Sequence, residues 1–154
     1  MLIQVKSAVL INQNYQVVFD YISNYTNDVF WRAEVKKTIV DTVSICKGTT
    51  ITQQTFLSKK IPVFVTTFRC TDFTKGERVV CETTTENAYW CRSVRAVQQV
   101  NGNLTKVFYQ LGFDSSIVQY GLGFKLPRLI ILFYTKQTMR RYLRILKNRM
   151  ESNH

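Results

Sequence analysis

Residues 90–113 read WCRSVRAVQQVNGNLTKVFYQLGF. Two runs rich in Val, Phe and Tyr flank Asn101-Gly102, and both of those residues tolerate the positive φ of a type I′ turn. The stretch is therefore read as an antiparallel hairpin. With a two-residue turn there, Trp90 faces Phe113, Arg92 faces Leu111, Val94 faces Tyr109 and Ala96 faces Val107. Directly opposed residues share a sheet face. One face of this hairpin is then apolar apart from Arg92. The other carries Ser93, Arg95, Gln110 and Lys106, which suits solvent.

The same logic extends upstream. Between about residues 33 and 114 the chain is rich in Thr, Val and Phe and is broken by turn signals at Lys47-Gly48, Lys59-Lys60, Lys75-Gly76 and Asn87-Ala88. A turn at Asn87-Ala88 sets Thr83 opposite Arg92, Cys81 opposite Val94 and Thr85 opposite Trp90, and leaves Arg78, Glu82 and Glu86 outside. A turn at Lys75-Gly76 sets Phe68 opposite Thr83, Cys70 opposite Cys81 and Thr66 opposite Thr85, with Phe64 continuing the inner face. Cys70 and Cys81 are expected as two buried thiols, because directly cross-strand disulfides are strained.

Outward from this array, residues 2–11 read as a strand. Asn12-Gln13-Asn14 offers a helix N-cap, and Tyr15, Val18, Phe19 and Ile22 follow the spacing of a short amphipathic helix. Tyr25 to Trp31 reads as a second short helix or a tight loop. At the other end, Pro127 suits a first helical turn, and residues 127–151 hold no further Pro and no Gly. Ile131, Leu132, Met139, Tyr142, Leu143, Leu146 and Met150 share one face of that helix. Lys136, Arg140, Arg144 and Lys147 fall opposite.

The order of strand, two short helices, six antiparallel strands and long C-terminal helix resembles the helix-grip fold of the START-like superfamily, which includes the polyketide cyclase/dehydrase (SRPBCC) proteins. Residues 9–22, VLINQNYQVVFDYI, look like that family's opening strand and first helix, with Trp31 and Gly48 at familiar places. Gln13-Asn14 replaces the common Ala-Pro, and Ser23 replaces a common acid. The resemblance implies an α+β fold: a curved seven-stranded antiparallel sheet around the C-terminal helix. It also implies a cavity between the two that holds lipids, sterols, quinones or polyketides.

The totals bound the function. A chain of 154 residues suits one domain, 1–154, with a substantial core. No apolar run reaches the roughly 18 residues a membrane span needs. The first residues lack the layout of a signal peptide and no CxxC pair occurs, so a reducing, cytoplasmic setting is expected. The only histidine is His154, which argues against Ser-His-Asp and Cys-His catalysis and histidine-rich metal sites. No cofactor is expected. The net charge is +11, and residues 125–154 carry eight Lys or Arg against one acid. Such a C-terminus points to an anionic partner. Nucleic acid is not expected, because the basic face is one helix without an aromatic RNA-binding stripe or zinc pattern.

The expected ligand-binding residues are Arg92, Trp90, Thr83, Tyr109, Leu111, Phe113, Phe64 and Phe68 from the sheet, with Met139 and Leu143 from the helix. A lone guanidinium on an apolar face must be paired. Arg92 is therefore read either as the holder of a ligand acid or as the partner of Glu34, Asp72 or a carbonyl. Leu129, Ile130 and Phe133 lie on the side of the basic stripe. They touch an anionic membrane transiently or lie buried under the loop from Ser115 to Phe124, with the second reading preferred. The function expected is binding, and carriage, of a hydrophobic small molecule. A cyclase or dehydratase in the same cavity is the alternative, and the inner face offers it no converging pair of carboxylates.

Overall fold

The computed structural model describes residues 1–152, so His154 lies outside the described residues. The strands are β1 (Leu2–Ile11), β2 (Val35–Val40), β3 (Thr50–Thr55), β4 (Phe64–Thr74), β5 (Arg78–Thr83), β6 (Cys91–Asn101) and β7 (Leu104–Asp114). They form one antiparallel sheet in the order β1-β7-β6-β5-β4-β3-β2. Helix α1 (Tyr15–Ser23) and a 3-10 turn (Tyr25–Phe30) follow β1, and α3 (Arg128–Ser152) ends the described chain. This is the α+β arrangement expected.

Local chemistry explains the boundaries. The Asn14 side chain accepts the Gln16 N–H and caps α1, whose Val18, Phe19 and Ile22 are buried. Asn24 repeats the device, accepting the Thr26 N–H at the start of the 3-10 turn. The segment read as a loop from Ser115 to Phe124 contains a further short helix, α2 (Ser116–Leu122). Gly123 ends it with φ 86, and its N–H closes onto the Gln119 carbonyl.

The core forms where inner-face side chains meet α3. Ile3, Ile51, Cys70, Cys81 and Val107 come from the sheet, and Ile131, Met139, Leu143, Leu146 and Met150 from the helix. Burying each such aliphatic side chain contributes roughly 1.5–3 kcal/mol. The pairs Phe68 with Thr83 and Cys70 with Cys81 stand as the sequence suggests, and both cysteines are free thiols.

One strand corrects the sequence reading. In β6, Cys91 opposes Phe113, Ser93 opposes Leu111, Arg95 opposes Tyr109 and Val97 opposes Val107. On its other side Arg92 opposes Glu82, and Cys81 opposes Ser93. The strand is thus displaced by one residue against both neighbours, and a one-residue slip exchanges its faces. Arg92 and Trp90 lie on the outer face, while Arg95 points inward. The turn residues are Gly102 and Asn103, not Asn101 and Gly102, and neither has positive φ. The Asn101 side chain accepts the Asn103 N–H, so it initiates the turn. The ladder then shifts between Gln99 and Asn101, leaving Val100 as an unpaired bulge. Between β5 and β6 the expected two-residue turn is a longer loop, closed by Asn87 hydrogen bonds to Thr67 and Thr84.

The basic side of α3 has a structural task. Arg128, Lys136 and Lys147 donate to the carbonyls of Leu2, Lys6 and Leu10, along the edge of β1. Arg140 and Arg144 stay exposed.

Candidate functional site

A cavity of about 450 Å³ opens over the inner face of β3, β4, β6 and β7. Phe64, Phe68, Leu111 and Phe113 form apolar walls, with Cys91 between them. The cover is Ile117 of α2 together with the chain at Phe56-Leu57 and at Glu86 to Tyr89. The aromatic rings of Phe64, Tyr89 and Tyr120 cluster here, with the two tyrosine rings 5.5 Å apart. Leu57 packs so closely on Gly121 that a Cβ there would lie 3.1 Å from it. Ser58 Oγ donates to the Gly121 carbonyl across 2.5 Å. Side chains of α3 do not line this space. Met139 and Leu143, expected to close it, are packed in the core instead.

The cavity's polar end is built from the 3-10 turn and the residues just after it. Arg32 Nη1 donates to Asp28 Oδ2 at 2.9 Å and to Gln53 Oε1 at 3.3 Å. Its Nε and Nη2 donate to Glu34 Oε1 at 3.2 and 2.7 Å. Gln53 Nε2 in turn donates to Asp28 Oδ2 at 2.8 Å. Arg32, Glu34 and Gln53 all reach the cavity lining.

Behind them lies Arg95, 1% exposed, gripping the fully buried Asp28 with both Nη atoms at 2.8 and 2.7 Å. It also donates to the Ile22 carbonyl. Its guanidinium lies 3.8 Å from the Tyr25 ring centre, 4.9 Å from that of Trp31 and 5.5 Å from that of Tyr109. Aromatic faces stabilise a desolvated cation. Burial pushes the Asp28 carboxyl up, but Arg95, Arg32 and Gln53 outweigh that and hold it below the usual carboxylate value. Burial also pushes the Tyr109 phenol up and raises the Cys91 thiol to about 11. Tyr142, on α3, is raised by burial and then by the neighbouring Glu34.

Of the residues expected from sequence, Phe64, Phe68, Leu111 and Phe113 are thus brought together at the cavity. Tyr109 is buried beside it, edge-on to Trp31. Thr83 lies on the inner face, where its hydroxyl accepts the Cys91 N–H. Trp90 donates from Nε1 to Glu82 on the outer face and covers Gly112, where a Cβ would lie 3.1 Å from the ring. Arg92 shares that outer face, and the inward arginine pairs internally with Asp28. Glu34 pairs with Arg32 and Asp72 with Arg78, so neither carboxylate serves the arginine for which it was considered. Sequence reasoning missed Asp28, Arg32 and Gln53. The signal for the first two is the i, i+4 spacing of Asp28 and Arg32 around Trp31, beside a segment that reads equally as a short helix or a tight loop.

The apolar start of α3 is also corrected. Leu129 is 78% and Phe133 66% exposed, so the segment containing α2 does not bury them.

No protein-family model matches the sequence, and no curated protein does. Solved structures match over nearly the whole chain. A START superfamily protein from Mycobacterium smegmatis superposes with a TM-score of 0.76 at 10% identity, covering 98% of this chain and 99% of that one. The Zhui aromatase/cyclase from a Streptomyces species gives 0.68 at 10% identity, over 99% and 93%. The di-domain ARO/CYC BexL gives 0.68 at 16% identity, over 97% of this chain and 50% of its own. Likeness at such low identity speaks for architecture, and together with the strand order and the terminal helix it shows that this chain has the START-like helix-grip fold.

Proposed function

We propose that this chain binds a hydrophobic small molecule, such as a lipid, quinone or polyketide, and carries it as a single ligand-binding domain. The observation behind this reading is the cavity of about 450 Å³, walled by Phe64, Phe68, Leu111 and Phe113, with Arg32, Glu34 and Gln53 grouped on its lining. Concave, mostly apolar spaces with a few grouped polar atoms are how proteins take up small molecules. The test is equilibrium binding of Nile red followed by fluorescence. Wild type is expected to bind it, and Leu111→Trp, which fills the space, to bind at least about tenfold more weakly with its unfolding midpoint kept. Equal affinity in the two proteins rejects the cavity as the site.

A second reading is an enzyme of cyclase or dehydratase type. It is favoured by Glu34, a carboxylate at the cavity beside the Tyr142 phenol, since proton transfer needs such a group within reach of substrate. Turnover of a linear poly-β-ketone that Glu34→Gln abolishes would move the protein to the enzymes.

A further inference from the structure

We infer that the ligand presents a neutral hydroxyl, not an acid or an amine, to the polar end of the cavity. The inference rests on the cavity being the binding site. Its first ground is the state of Arg32. Nε and both Nη atoms already donate to Glu34, Asp28 and Gln53. Gln53 is spent on the same network, giving its amide to Asp28 and accepting from Arg32. The guanidinium at the cavity is therefore committed to internal carboxylates and is not a free fork for a ligand carboxylate.

The second ground is where bonding capacity is left over. Glu34 receives both of its Arg32 bonds on Oε1. Its Oε2 is buried and has no hydrogen-bond partner, while the side chain as a whole is 25% exposed and lines the cavity. The Tyr142 hydroxyl is close enough to Glu34 to interact with it as a donor, but makes no hydrogen bond of ordinary geometry to Oε2. The last torsion of a glutamate is soft, so a small turn presents the open oxygen to the cavity. A carboxylate oxygen only accepts, so the complementary ligand group is a donor.

The third ground is charge. Arg32 and Arg95 face Asp28 and Glu34, two cations against two anions, within one connected network. A ligand carboxylate would sit against Glu34 as a like charge. An ammonium would leave one buried charge uncompensated. Both are costly in a poorly solvated space, whereas a neutral alcohol or phenol donates its proton and leaves the balance intact.

Three ligands with one apolar body separate these cases: 2-naphthol, 2-naphthoate and 2-naphthylmethylammonium, titrated calorimetrically into the wild-type protein at neutral pH. Naphthol is expected to bind at least about tenfold more tightly than either ion, as a hydrogen bond to a charged group would give. In Glu34→Gln the cluster gains a net positive charge, and naphthoate is expected to gain on naphthol until the preference disappears or reverses. Naphthoate binding as tightly as naphthol to wild type overturns the inference. So does a Glu34→Gln protein that folds and keeps the wild-type preference. If Nile red binds and the three naphthalenes bind alike, this inference falls and the cavity reading stands. If Nile red and all three fail to bind, the cavity reading itself falls.

Discussion

The carboxylate of Asp28 holds two guanidinium groups at once, Arg95 through both oxygens and Arg32 through one. Each of these charges costs several kcal/mol to remove from water, and only their mutual pairing offsets it. Replacing one member is therefore worse than never having had the pair. Asp28→Asn is expected to lower stability by about 3–5 kcal/mol at neutral pH, because it strands the buried Arg95. Urea unfolding measures this, and a loss below about 1 kcal/mol contradicts it. The pH dependence has a definite sign. The folded Asp28 carboxyl titrates below its unfolded value of about 3.9, so its contribution is complete above that value and is lost as pH falls through the lower, folded one. The gap between wild type and Asp28→Asn should then close on acidification.

At the level of elements, β6 shows both the reach and the limit of reading by pattern. The faces of β4, β5 and β7 at Phe68, Thr83, Tyr109 and Phe113 followed from apolar alternation. The β4–β5 pairs came out as expected because the turn there spans three residues, 75–77, and a bulge between Cys70 and Asp72 offsets the extra one. In β6 the alternation is undecided. One face offers Trp90, Arg92, Val94 and Ala96, the other Cys91, Ser93, Arg95 and Val97, each with a single arginine. Only the turn could choose, and Asn101 spends its side chain on the Asn103 N–H instead of adopting positive φ. The polar end of the cavity was hidden by the same slip, since its Asp28 is organised around an arginine assigned to solvent. The bulge makes a prediction of its own. Val100 is 53% exposed and has no strand partner. Deleting it leaves Gln99 opposite Thr105 and Asn101 opposite Leu104, so the change in stability should stay within about 1 kcal/mol. A deletion mutant that loses cooperative unfolding would show that the bulge itself sets the twist of the hairpin.

Across the whole molecule, charge and exposed apolar surface fall together on α3. Leu129, Ile130, Phe133 and Tyr134 are exposed at its start, and Arg140 and Arg144 continue that side without internal partners among the described residues. Apolar side chains flanked by cations suit the surface of an anionic bilayer. Among the described residues no helix is long and apolar enough to cross one. Near such a surface each cation contributes about 1 kcal/mol, so reversing two of them should weaken binding to phosphatidylglycerol vesicles by well over about tenfold. Co-sedimentation of Arg140→Glu/Arg144→Glu beside wild type reads this, and equal sedimentation removes the bilayer as a partner.

The cations that α3 places on the carbonyls of Leu2, Lys6 and Leu10 reach further than the helix they dock. A sheet edge is a template for another chain, and here β1 is already occupied by its own helix. The opposite margin is β2, where Lys36 and Lys37 stand exposed and the ladder is irregular between Val35 and Lys37. Three side chains on one helix thus guard one margin of the sheet against strand addition, and exposed lysines and a register shift guard the other.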